Sequence, residues 1–211
     1  MDSLPDLGQR IRAGYEAKYT ARDKALQLCR ETTRSSAVAI RAIHRGEFDT
    51  ARGHIAAAQQ SLTLAGTTLA DHPDVFYAGF LHDAAKEYVE ASATLAIIGG
   101  EPLPTPEALG VQPPAYLNGL AEAVGELRRH LLDRLRRGEV EVCERILIVM
   151  DEIFSVLVTI DYPDSITGGL RRATDVARGI IEKTRGDLTL SVRQRSLERR
   201  LEAFEGRVED E

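Results

Sequence analysis

Apolar residues recur along this chain at the three- and four-residue spacing of helices. No stretch shows the strict alternation of a half-buried strand. The pattern predicts a helix over 7–45 closed by Gly46, and a second over 47–70. Asp71-His72-Pro73 then breaks the chain, with Pro73 suited to a first helical position. A third helix is expected over 74–98, ended by Gly99-Gly100. Five of the eight prolines fall between Glu101 and Pro114, which makes that segment a loop, with one capped turn at Thr105-Pro106-Glu107. Helices follow over 114–137, closed by Gly138, and over 139–160. After a loop at 161–166 the chain reads as a final helix or helix pair over 167–204, with Gly186-Asp187 as the expected interruption. The polar tail over 205–211 is expected to fray. The expectation is an all-α bundle of six or seven helices, several of them long, forming a single domain over 1–211.

Two places break the amphipathic pattern. On a helix at about 100° per residue, Asp83, Glu87, Glu90 and Thr94 share one narrow stripe of the third helix. Stacked like charges cost an isolated helix about 0.2–0.5 kcal/mol per pair, so the stripe calls for water, arginines or a cation opposite it. A solvated acidic face accounts for it equally well. In the helix over 139–160, Asp151 and Glu152 interrupt an otherwise apolar run from Ile146 to Ile160. Leu147, Ile148, Phe154 and Val158 surround Asp151 at helical spacing. A carboxylate in such a face is costly unless paired. Either a divalent metal shared with the Glu87/Glu90 stripe or an arginine partner would compensate it. Glu126 shares a helix face with Glu122, Ala123, His130 and Asp133.

Positive charge is also segregated. Arg30, Arg34, Arg41 and Arg45 fall within about 60° around the first helix. Arg128, Arg129, Arg134, Arg136 and Arg137 crowd the end of the helix over 114–137, where cations also suit the helix dipole. Each group reads either as a salt-bridged face or as a phosphate-contacting ridge.

Composition changes the picture in three ways. A net charge of −6 over 211 residues argues against a generically basic nucleic-acid binder, so a polyanion would have to use a local patch. Cys29 and Cys143 lie in no metal-ligand spacing and read as reduced core thiols. The start Met-Asp-Ser-Leu-Pro-Asp has neither a basic region nor an apolar core, and no apolar run is long enough for a membrane span. A cytoplasmic chain without a membrane partner is expected. Walker, G-x-G-x-x-G, G-x-S-x-G and H-E-x-x-H motifs are absent, as are the Glu-x-x-His pairs of di-iron bundles. Hard oxygen ligands alone point to Mg²⁺ or Mn²⁺.

Five segments, in order, resemble the translin/TRAX family over roughly residues 24–192. They are His72-Pro-Asp-Val-Phe-Tyr-Ala-Gly-Phe80, Lys86-Glu-Tyr-Val-Glu-Ala91, Gly119-Leu-Ala-Glu-Ala-Val-Gly-Glu-Leu-Arg128, Met150-Asp-Glu-Ile-Phe154 and Asp161-Tyr-Pro-Asp164. The resemblance implies a seven-helix fold assembling into a hollow homo-octamer that binds single-stranded RNA or DNA. The Glu87/Glu90 pair is of the TRAX type, which implies a metal-dependent endoribonuclease. Glu87, Glu90 and Asp151 would be its catalytic acids, and the same three with Glu126 would hold Mg²⁺ or Mn²⁺. The arginines at 30, 34, 41, 45, 128 and 129 would then meet nucleic acid. Glu152 departs from the family's pattern, in which a small residue often follows the aspartate. The alternative implied is a non-catalytic oligomeric binder of single-stranded RNA or DNA.

Overall fold

A computed structural model describes residues 3–209, all of whose regular structure is helical. Six helices are long: α1 (Leu4–His44), α2 (Phe48–Thr68), α4 (Phe80–Gly99), α6 (Pro113–Arg136), α7 (Val140–Leu157) and α9 (Leu170–Glu209). Three are single turns: α3 (Pro73–Phe76), α5 (Pro106–Leu109) and α8 (Asp164–Thr167). The all-α expectation holds. Contacts group the chain into two compact units, the first ending at Leu120 and the second beginning at Ala121.

In the first unit α1, α2 and α4 pack pairwise. Ala25 and Cys29 of α1, Ala58, Leu62 and Ala65 of α2, and Leu81, Ala85, Tyr88 and Val89 of α4 share one apolar core. A second cluster joins Ile40 and Ile43 to Ala51, Ala91 and Leu95. The abundance of alanine lets these helices approach closely. The expected third helix is in fact two, α3 and α4. Gly79, at φ 99°, separates them in a conformation that a side chain would strain. The expected turn at Thr105 is α5, where the Thr105 hydroxyl accepts from the Ala108 amide at 3.2 Å.

In the second unit α7 and α9 pack together, and Met150, Ile153 and Leu157 of α7 and Ala177, Ile181 and Leu188 of α9 are buried. α9 runs unbroken through Gly186-Asp187, against the expected interruption. A helical glycine costs only about 1 kcal/mol relative to alanine. Next to it, Asp187 is bound by Arg128 at 2.7 Å. The backbone remains helical to Glu209, and residues 210–211 of the expected tail lie outside the described residues.

Both long terminal helices carry exposed apolar rows: Leu4, Leu7, Ile11, Tyr15 and Tyr19 on α1, and Leu190, Leu197, Leu201 and Phe204 on α9. Among the described residues no helix is long and apolar enough to cross a membrane. Cys29 and Cys143 are free and buried.

Candidate metal and nucleic-acid site

α4 carries the acidic pair on a helix that is otherwise almost wholly inside. Tyr88 and Val89, between Glu87 and Glu90, are 1% and 0% exposed, while both glutamates are half-buried. Asp83, at the start of the same stripe, is exposed. Both glutamates already have electrostatic or hydrogen-bonding partners in the folded chain. Thr94, one turn beyond Glu90, is fully buried, and its Oγ1 has no hydrogen-bond partner. Behind the pair, α6 crosses α4 at Gly119. A Cβ there would lie 2.6 Å from Val89 Cβ and 2.7 Å from the Lys86 carbonyl oxygen. Only glycine permits this approach, and the residues it presses on flank Glu87 and Glu90.

Asp151 differs from expectation. Its side chain is 39% exposed, not sunk in an apolar face, because Ile148 and Val158 beside it are themselves exposed. Of the two compensations, the arginine is present. Arg185 Nη2 donates to Asp151 Oδ1 at 2.6 Å and to Oδ2 at 2.9 Å. The pair lines an open cleft of about 330 Å³ with Phe154, Arg178, Ile181 and Glu182. Arg178 lies over the Phe154 ring, 5.4 Å from its centroid. Glu126, on α6, is 24% exposed and faces Arg129 Nη1 at 3.7 Å. Glu152 is exposed.

The arginines divide into distinct roles. Arg30, Arg34 and Arg41 are exposed along α1. Arg45 is tied bidentately to Glu47, at 2.7 Å in both bonds. Arg128 is 18% exposed and donates to Thr184 and Asp187 at 2.8 and 2.7 Å, so its guanidinium is committed inside the second unit. Arg129 is more open, at 56%. A further row, not among the expected contacts, is Arg171, Arg178 and Arg185 on α9, each beside an aspartate: Asp161, Asp175 and Asp151 respectively. Their seven-residue spacing, about 10 Å per step, was the available signal.

As a donor set, Glu87 and Glu90 on neighbouring turns, with the unpartnered Thr94 hydroxyl beyond them, suit a hard divalent ion that keeps several waters. Asp151 offers a solvent-accessible carboxylate of the same type. Within either unit, among the described residues, no three His, Cys, Asp or Glu side chains gather into a metal-holding group.

No protein-family model matches the chain. Two solved structures, AfC3PO alone and its complex with duplex RNA, align with a TM-score of 0.82 and 36% identity over 89% of this chain and 97% of theirs. Apo-NeC3PO aligns with a TM-score of 0.80 over 90% of this chain and 100% of its own, at 22% identity, a likeness of fold alone. The uncharacterized protein MJ0175 of Methanocaldococcus jannaschii is 31% identical over 189 residues, which is 87% of this chain and 82% of that protein. The architecture is thus that of the long-helix C3PO proteins, with a paired-glutamate helix packed into its first unit. The chain belongs to the translin family.

Proposed function

We propose that this chain is a metal-dependent endoribonuclease of the TRAX type. It would cleave single-stranded RNA, with single-stranded DNA as a further candidate ligand, inside a homo-oligomeric, octameric shell in the cytoplasm. The observation that carries the reading is the Glu87-Tyr-Val-Glu90 pair, two half-buried carboxylates held on neighbouring turns by a buried helix. The complex of AfC3PO with duplex RNA supports a nucleic-acid substrate. In this proposal Glu87 and Glu90 hold Mg²⁺ or Mn²⁺, and Asp151 and Glu126 are the further acids of the second unit. A bound ion supplies an activated water and neutralises charge at the phosphodiester. The protein's own part is to fix the two glutamates through Gly119 and the α4 core, and to lead the strand past exposed arginines such as Arg30, Arg34 and Arg41. The exposed apolar rows of α1 and α9 support assembly, since a second copy would cover them.

A second reading, a non-catalytic binder of RNA or DNA, draws on Arg185, which already neutralises Asp151 without a metal. End-labelled single-stranded and duplex RNA, incubated with Mg²⁺, Mn²⁺ or EDTA, separates the two. Internal cleavage that EDTA abolishes supports the nuclease. Binding with intact strands under every condition supports the binder.

A further inference from the structure

Asp151 and Arg185 sit 34 residues apart in sequence, on α7 and α9 of the same unit. Both carboxylate oxygens of Asp151 are taken by a single guanidinium nitrogen, Nη2. That leaves the remaining N–H donors of a side chain that is 58% exposed for some other acceptor. The pair also lines the cleft that holds Arg178 and Phe154, so a ligand entering the cleft meets the guanidinium and the carboxylate together. Two consequences follow from the chemistry. A cation at Asp151 competes with Arg185 for the same negative charge and is repelled by the guanidinium that spans both oxygens, so it binds best once Arg185 withdraws. A phosphodiester is the acceptor best matched to a released guanidinium, which binds phosphate oxygens in a planar, bidentate manner. An ion pair this exposed is weak, so the exchange costs little.

We propose that Arg185 is a phosphate-binding residue stored on Asp151, and that an incoming nucleic-acid strand takes Arg185 and thereby frees Asp151 for a divalent cation. The proposal rests on the nucleic-acid reading above, and it makes Arg185 a positioning residue that couples strand binding to cation binding. Coupling of this kind is reciprocal: the strand raises cation affinity, and the cation raises strand affinity by the same factor. The strength of an exposed pair sets that factor at about two- to five-fold.

The test is a Mn²⁺ titration of the full chain, read by the electron-spin signal of free Mn²⁺. It is run with and without a 2′-O-methyl ten-nucleotide strand whose integrity is checked afterwards. Wild-type protein is expected to bind Mn²⁺ about two- to five-fold more tightly with the strand present. Arg185→Gln is expected to show that higher affinity already without the strand, and no further gain on adding it. Arg185→Lys keeps the charge and tests for misfolding; its behaviour should lie between the two. Arg178→Gln removes the same charge from the same cleft without touching Asp151, so it should retain most of the strand effect. Equal Mn²⁺ affinity in wild type and Arg185→Gln, including no measurable binding to either, overturns the proposal. So does an Arg178→Gln response that matches that of Arg185→Gln. Coupling to the 2′-O-methyl strand, with the unmodified end-labelled RNA left intact under every metal condition, would leave the Arg185 exchange standing and remove the nuclease reading. Cleavage without coupling would do the reverse.

Discussion

In α4 the residues around Glu87 and Glu90 are buried on nearly every other face, from Ala84 through Ala96. In α7 the residues around Asp151 alternate between buried Met150 and Ile153 and exposed Ile148, Val156 and Val158. Both helices looked alike in sequence, apolar runs interrupted by acids. The first is clamped from behind by the Gly119 crossing and set in two core clusters. The second is half solvated, and its aspartate is held by an ion pair. An acid on a clamped helix is positioned by packing and keeps its place whatever its charge. An acid on an open helix is positioned by its counterion and is free to exchange it.

The largest expected effect of breaking this contrast lies in α4. Glu87→Gln and Glu90→Gln should each lower cleavage of a labelled single strand by more than about a hundredfold, since losing a metal ligand exceeds the 10–100-fold cost of losing its supporting partners. Thermal melting without metal should change little, as relief of like-charge repulsion offsets the weakened contacts with the partners that both glutamates hold. Full cleavage by Glu90→Gln would remove the pair from the mechanism.

Next in size is the clamp. Gly119→Ala should destabilise the fold by about 1–3 kcal/mol in urea unfolding, because its methyl meets backbone and a β-branched side chain with no room to move. On the same helix Gly125 has open space around its Cβ position, and Gly125→Ala should stabilise by about 0.5–1 kcal/mol. Similar effects at both positions would contradict the close crossing.

A smaller effect separates free from committed arginines. Arg34→Ala with Arg41→Ala should lower the slope of log affinity against log salt by about one to two, similarly for all sequences. Arg128→Ala should instead lower the melting temperature, since it leaves Asp187 without its partner. An unchanged slope in the double variant would assign the α1 stripe to something other than phosphate.

The smallest concerns the core of the first unit. Burial pushes the Cys29 thiol from its ordinary 9.0 up to about 11. Between those values the folded protein holds a proton that the unfolded chain has lost, so stability should fall as pH rises from about 9 towards 11 and be unaffected below. Urea midpoints of wild type and Cys29→Ala across pH 7–11 measure this: the downward trend should flatten in the variant.

Much of this molecule was set by sequence alone. Apolar spacing fixed the helices because a helix must bury one stripe. Prolines and the glycines at 46, 99, 100 and 138 mark where helices end, whereas the break between α3 and α4 at Gly79 came from a positive φ that spacing does not reveal. The Glu87/Glu90 stripe was equally legible, since residues three apart on a helix share a face regardless of what surrounds it. Tertiary structure decided what lies opposite each charge. That Asp151 meets Arg185, that Arg128 turns inward to Thr184 and Asp187, and that α9 runs straight through Gly186 all depend on groups 34 to 59 residues apart or on packing between helices. Local spacing encodes which face a residue occupies. Which partner waits there is fixed only when the helices pack, because the energy of an ion pair depends on distance through space and not along the chain.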